Sequence, residues 1–187
     1  MKTNQSIDTK HRGAALITAL LILLVLTVIG ISALKTSSIQ ETIVGNMREQ
    51  DLSFQATEIG ITAAEATITN ILSPPLATSS GANNKIYLRN NFGTTTTLYD
   101  WANSAFDTAV WNSTIATEYG TQGTVDLTEV NADPMFIIEE ENFRPDSEDP
   151  NVRATGQGIY TYRITSRGEG KAASTVTLIQ ETYGVRY

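Results

Sequence analysis

The sequence predicts an α+β protein: one long N-terminal α-helix, apolar enough in its first half to span a membrane, packed on a small antiparallel β-sheet. Three observations carry this. Residues 14–34 are an uncharged apolar run. Residues 35–72 keep a broadly helical spacing of apolar side chains until Ser73-Pro74-Pro75 interrupts it. Near the C-terminus, two segments that alternate with period two flank Gly168-Glu169-Gly170-Lys171. The change of period from about 3.6 to 2 separates helix from sheet along the chain.

The first run, AALITALLILLVLTVIGISAL, has the ~20 residues that a helix needs to cross the hydrocarbon core. Its polar side chains, Thr18, Thr27 and Ser32, can bond back to carbonyls of the preceding turn. Lys2, Lys10 and Arg12 precede the run and only Asp8 opposes them. That asymmetry keeps the short arm in the cytoplasm and sends the rest of the chain across the membrane. A secretory signal would have a shorter apolar core and a small-x-small cleavage site after it. A plain signal anchor also fits the hydropathy.

The segment His11-Arg12-Gly13-Ala14-Ala15-Leu16-Ile17 resembles a type III prepilin leader, in which a basic arm and a glycine lead directly into the membrane helix. The resemblance implies cleavage after Gly13 by a prepilin peptidase, N-methylation of Ala14, and a helix kept in the mature protein. Cleavage would remove three of the 13 basic residues and one of the 20 acidic ones, leaving a chain more acidic than its present net charge of -7. Two positions depart from the pattern. Ala14 stands where many pilins have Phe, and Thr18 stands at the fifth mature position, where major pilins carry Glu. A carboxylate in a low-dielectric helix bundle needs a cationic partner, thought to be the neighbouring subunit's free amine. Thr18 cannot supply that charge. The K-type minor pseudopilins, which this chain resembles here, also lack the Glu, which implies a subunit with no predecessor above it. Alternatively, Thr18 is simply a helix residue of an ordinary anchor.

Beyond Lys35, an apolar helix face is read through Ile39, Ile43, Met47, Phe54, Ile59, Ala63, Ala66 and Leu72, with Glu41, Arg48, Asp51, Glu58 and Glu65 opposite. Gly45 and Asn46 weaken the middle, so a kink or a melted stretch is allowed there. Gln40-Glu41-Thr42-Ile43-Val44-Gly45-Asn46-Met47-Arg48 is similar to the QE-x-x-x-GN-x-R stretch of PilX-type minor pilins. Leu52-Ser53-Phe54-Gln55-Ala56-Thr57-Glu58 is similar to the LAFQAAE that follows it, with Ser53 and Thr57 in place of alanines. The family-like positions are therefore Gln40, Glu41, Gly45, Asn46, Arg48, Phe54, Gln55, Ala56 and Glu58. For the charged ones, the alternative is a solvated helix face.

The stretch 78–123 is rich in Ser, Thr, Asn and Gly and reads as loops around short elements. Tyr99, Trp101, Phe106 and Trp111 are expected to anchor these loops, with a glycan or receptor platform as the alternative. Residues 135–139 form a strand candidate. The strand over 158–167 places Ile159, Thr161, Arg163 and Thr165 on one face and Tyr160, Tyr162, Ile164 and Ser166 on the other. A return strand over 173–183, with Val176, Leu178 and Gln180 on one face, closes a hairpin. These C-terminal strands also resemble the end of PilX-type proteins.

The organisation read from the sequence is a leader over 1–13, a membrane half-helix over 14–34, an amphipathic half-helix over 35–73 and a head over 74–187. The resemblance implies a pilin fold and a minor pilin that primes or caps a type IV pilus, supporting adhesion and twitching motility. It implies other minor pilins, the major pilin and a PilY-type tip adhesin as partners. It also implies residence in the inner membrane of a Gram-negative cell, head in the periplasm, before assembly at or near the pilus tip. A type II secretion pseudopilin and a tip adhesive module are the alternatives.

Several function classes are disfavoured. The net charge is -7 and no basic patch follows the first dozen residues, which argues against direct nucleic-acid binding. There is no cysteine, and the only histidine is His11. No Ser-His or Cys-His pair, phosphate loop or thiolate metal site is therefore expected, and no enzyme or cofactor either. Glu139-Glu140-Glu141 and Asp146-Ser147-Glu148-Asp149 raise the question of calcium. They lack the central glycine of an EF-hand loop, so a solvated acidic loop is expected and no metal.

Overall fold

A computed structural model describes residues 11–78, 85–89, 110–120 and 127–187. The leader residues 1–10 and three of the loop aromatics, Tyr99, Trp101 and Phe106, lie outside them. The chain divides into two compact units, Met1–Asn46 and Met47–Tyr187.

Helix α1 (His11–Thr69) begins in the first unit. Every large apolar side chain from Leu16 to Leu34 is more than half exposed. The hydroxyls are satisfied within the helix: Thr27 Oγ1 donates to Leu24 O at 2.7 Å and Ser32 Oγ to Val28 O at 2.8 Å. An apolar surface on all sides with self-bonded hydroxyls suits lipid or a bundle of like helices. Gly45 and Asn46 are helical, so the melted stretch allowed by the sequence does not form.

The second unit holds the sheet. Its strands are β1 (Ile86–Leu88), β2 (Thr117–Glu118), β3 (Met135–Pro145), β4 (Gly158–Glu169) and β5 (Val176–Arg186), and a six-residue helix α2 (Pro150–Thr155) joins β3 to β4. The order is β1-β3-β4-β5, with β2 also on β3. The meander β3-β4-β5 is antiparallel as expected, and β4 and β5 pair from Ile159↔Arg186 to Glu169↔Val176 without a register shift. The sheet as a whole is mixed, because β1 joins β3 in parallel through Ile86↔Ile138. Parallel pairing needs a long crossover, and the connection from Leu88 to Met135 provides one. Strand β3 is 11 residues long, beyond the five expected, and bulges between Glu140 and Asn142.

The sheet's alternation follows the sequence. Tyr162, Ile164 and Ser166 of β4 and Phe136 and Ile138 of β3 are buried on the α1 side. Leu178 of β5 lies on the other side, where Tyr87, Trp111, Ala116 and Ile137 form a second cluster. Trp111 is thus the loop anchor the sequence implied. Each such Ile buried contributes about 1.5–3 kcal/mol.

The helix face is where expectation and structure part. The sheet-facing stripe of α1 is Ser53, Ala56, Thr57, Gly60, Ile61, Ala64 and Ile68, all buried. The face read from large apolar residues is not the buried one: Phe54 is 45 % exposed and Leu72 99 %. The reason is distance. A Cβ on Gly168 would come within 2.6 Å of Thr57 N and 2.7 Å of Ser53 O, and one on Gly60 would overlap the Ser166 hydroxyl. Only small side chains fit where the approach is this close, around Ser53, Thr57 and Gly60, while Ile61 and Ile68 of the same stripe pack into the core. The helix also ends at Thr69, four residues before Ser73. Ile71 N bonds to Ile68 O in a tightened last turn, and Ile71 packs on the core.

Hydroxyls fasten this joint. Ser53 Oγ and Thr177 Oγ1 share a hydrogen bond of 2.6 Å, and Thr57 Oγ1 lies 2.6 Å from Ser53 O and 3.2 Å from Thr177 O. Glu49 Oε2 accepts from Ala172 N at 2.8 Å in the β4–β5 turn. A double-mutant cycle of Ser53→Ala and Thr177→Val, read by urea unfolding of the detergent-solubilised chain, is expected to give a coupling of about 1 kcal/mol. Strict additivity would show that the bond contributes nothing.

Candidate assembly surface

The family-like positions fall into two environments. Gln40, Glu41, Gly45, Asn46 and Arg48 are exposed on α1, and the side chains of Glu41 and Arg48 make no hydrogen bond or ion pair among the described residues. Nothing lies within 4 Å of a Cβ built on Gly30 or Gly45, so the packing of this chain does not explain either glycine. Ala56 is buried at 2 % exposure, whereas Phe54, Gln55 and Glu58 are exposed. Gln55 Nε2 donates to Asp51 Oδ2 at 2.8 Å. Ser53 and Thr57, which replace alanines of the similar family stretch, both bond to Thr177 of β5.

Two grooves flank this part of α1. One, of about 470 Å³, lies between Ile59, Ala63 and Ala66 of the helix and Tyr119. The other, of about 530 Å³, lies between Phe54, Ile61 and Glu65 of the helix and Ile179 and Glu181 of β5. Glu58 and Thr62 form the ridge between them.

At the membrane end, Thr18 Oγ1 lies 3.1 Å from Ala14 O and 3.0 Å from Ala15 O. Its hydroxyl is spent on its own helix. The side chains of His11 to Gly13 lie outside the described residues. In the acidic loop, Asp146 Oδ1 accepts from Arg186 at 2.7 Å, and Asp149 Oδ1 accepts from Asn151 N at 2.9 Å at the start of α2, with Pro150 at the first helical position. These acids cap and pair within the head.

The groove beside β5 is electrostatically uncomfortable. Burial, and then the neighbouring Glu65 carboxylate, raise the Glu181 carboxyl above its ordinary value of 4.5. A raised acid holds its proton longer in the folded state, so its favourable contribution exists below about pH 4.5 and is lost as pH rises through the raised value. Glu181→Gln is therefore expected to raise the Tm at neutral pH, with the difference closing towards pH 4.5. Melting curves of both proteins between pH 4 and 8 test this. A Tm difference independent of pH would refute it. Glu181 is partly exposed, so the effect is modest and screened by salt.

An α+β chain with an N-terminal helix long and apolar enough to cross a membrane, and a small sheet backed by the later turns of that helix, has the arrangement of a pilin. Its apolar helix and most of its motif residues are exposed. The chain belongs to the PilX family of type IV pilus assembly proteins: the model of the PilX N-terminal region matches residues 12–62, and that of the type IV pilus assembly protein PilX C-terminal region matches residues 74–185. Searches of curated proteins and of solved structures return no match. The family assignment and the long apolar helix make the protein a membrane-anchored component of the pilus.

Proposed function

We propose that this minor pilin primes or caps the type IV pilus, at or near its tip, and that adhesion and twitching motility depend on it through the pili it helps to start. The observation that carries this is Thr18. The fifth residue after the expected cleavage at Gly13 has no charge, and its hydroxyl is used within its own helix. A helix without that carboxylate has no use for the amine of a subunit above it, which suits the first position in a fibre. The exposed small residues Ala14, Ala15, Ala19, Gly30 and Ala33 allow neighbouring helices to approach closely. Gln40, Glu41, Gly45, Asn46, Arg48, Phe54, Gln55 and Glu58 are the surface offered to other minor pilins, to the major pilin and to a PilY-type tip adhesin. Before assembly the helix sits in the inner membrane with the head in the periplasm.

The test is a deletion strain, scored for pili sheared from the surface and for the mature N-terminus of the complemented protein. Loss of most surface pili, with an N-methylated start at Ala14 that requires the prepilin peptidase, is the expected result. Normal piliation, or an intact Met1, would overturn the reading. A secretion defect with normal pili would instead assign the chain to a type II system.

A further inference from the structure

We propose that the free edge of β5, together with the groove between β5 and α1, receives an extended basic segment of another pilus subunit as an added β-strand. The inference rests on the assembly reading for the kind of partner, and on the head alone for the site.

Strand β5 is the last in the sheet order and pairs on one side, with β4, across its full length without a bulge. The further bonds of its residues run to α1 and to side chains of β4 and the acidic loop, not to another strand: Thr177 bonds to Ser53 and Thr57, Tyr183 to Thr69, Gln180 to Thr165 and Arg186 to Asp146. Among the described residues its second edge pairs with no strand, and leaves an open row of backbone donors and acceptors along the 11-residue strand. Soluble proteins blunt such edges with Lys, Pro, a bulge or a covering loop. The described structure covers this edge with none of these, and the sequence VTLIQETYGVR contains neither Lys nor Pro. Val176, Thr177, Ile179, Thr182, Tyr183 and Val185 also give it the composition of a strand that pairs readily.

The groove says what the added strand carries. A strand laid about 4.8 Å from β5 turns every second side chain towards α1. There it meets Phe54, Ile61 and Ile179, and the carboxylates of Glu58, Glu65 and Glu181. None of these three acids has a cation among the described residues, although the head pairs Glu139, Glu141, Asp146 and Glu169 elsewhere. A strand whose groove-facing side chains, at every second position, include both apolar residues and Lys or Arg fills the groove and relieves the repulsion between Glu65 and Glu181. A second copy of this chain fits badly. Pairing β5 with β5 would bring two acidic grooves together, and the one basic side chain of β5, Arg186, is bound to Asp146.

The full chain, purified in detergent alone and in complex with the co-expressed minor subunits of its own pilus system, is compared by hydrogen–deuterium exchange. Edge amides of residues 176–186 are expected to exchange at least about tenfold more slowly in the complex. Glu65→Lys with Glu181→Lys is expected to weaken the complex at least about tenfold. Should that variant misfold, Glu65→Gln with Glu181→Gln, which removes charge without reversing it, is expected to weaken it less but measurably. A stable complex in which β5 exchanges as in the isolated chain overturns the docking proposal and leaves the assembly reading standing. Failure to form any complex overturns both. Protection that appears in the isolated chain as its concentration rises points to a second copy and overturns the charge argument.

Discussion

Gly168→Leu is expected to destabilise the head by about 3 kcal/mol or more, the upper end of the cost of overpacking a tight interior. The obstacle is backbone. The new Cβ would meet Thr57 N and Ser53 O, at 2.6 and 2.7 Å, and neither can rotate away as a side-chain tip could. Helix α1 would have to lift off β4, opening the hydroxyl joint to Thr177 as it goes. Gly45→Ala is the matched control. That position is helical and nothing lies within 4 Å of its Cβ, so the change is expected to leave the head's urea midpoint unchanged and to firm the helix by about 0.5–1 kcal/mol. Urea titrations of both proteins, followed by circular dichroism, decide the matter. A Gly168→Leu midpoint equal to the parent's would mean that the helix and sheet are not held this close.

Glu139→Ala is expected to cost about 3–5 kcal/mol, the usual penalty for stranding one member of a buried ion pair. Glu139 is fully buried, and the Arg163 side chain is 12 % exposed. The guanidinium grips the carboxylate with two bonds, Nε to Oε2 at 2.9 Å and the second nitrogen to Oε1 at 2.8 Å. The pair joins β3 to β4 on the face away from α1, at directly paired positions. Removing the acid leaves a cation with little water. Replacing both residues, Glu139→Leu with Arg163→Met, is expected to recover most of the loss, because an apolar pair has no charge to desolvate. If the double variant proves as unstable as the single one, packing and not charge sets the cost.

The parts of this fold that the sequence made legible are those where one side is covered and the other is not. Alternation along residues 158–167 sorted Tyr162, Ile164 and Ser166 correctly to one face, and the glycine-rich turn announced the hairpin. The helix face was misread because large apolar residues usually mark burial. Here the marker was the opposite: Ser53, Ala56, Thr57, Gly60 and Ala64, small residues at helical spacing, recorded a close approach. That stripe was visible, but Ser and Thr look like solvated positions unless the partner glycine, Gly168, is known to lie beneath them. Strands β1 and β2 were not legible, because each is held by β3, far away in the chain. Of the candidate surface, the motif residues came from resemblance. The groove beside β5 came from neither pattern nor motif, since it exists only once Glu181 is brought beside Glu65.

The joint between α1 and the hairpin also fixes how the head responds to pulling. The contacts run from Glu49 at the β4–β5 turn, through Ser53 and Thr57 at Gly168 and Thr177, to Ile68 beside Tyr187. Helix α1 therefore lies antiparallel to β4 and parallel to β5. Tension applied to the head through Met47 is directed along the strands, so it loads the helix–sheet contacts side by side. Bonds loaded in shear yield together, whereas a peeling load breaks them one at a time. A subunit fastened in this way resists sliding along its axis far better than lifting at its edge.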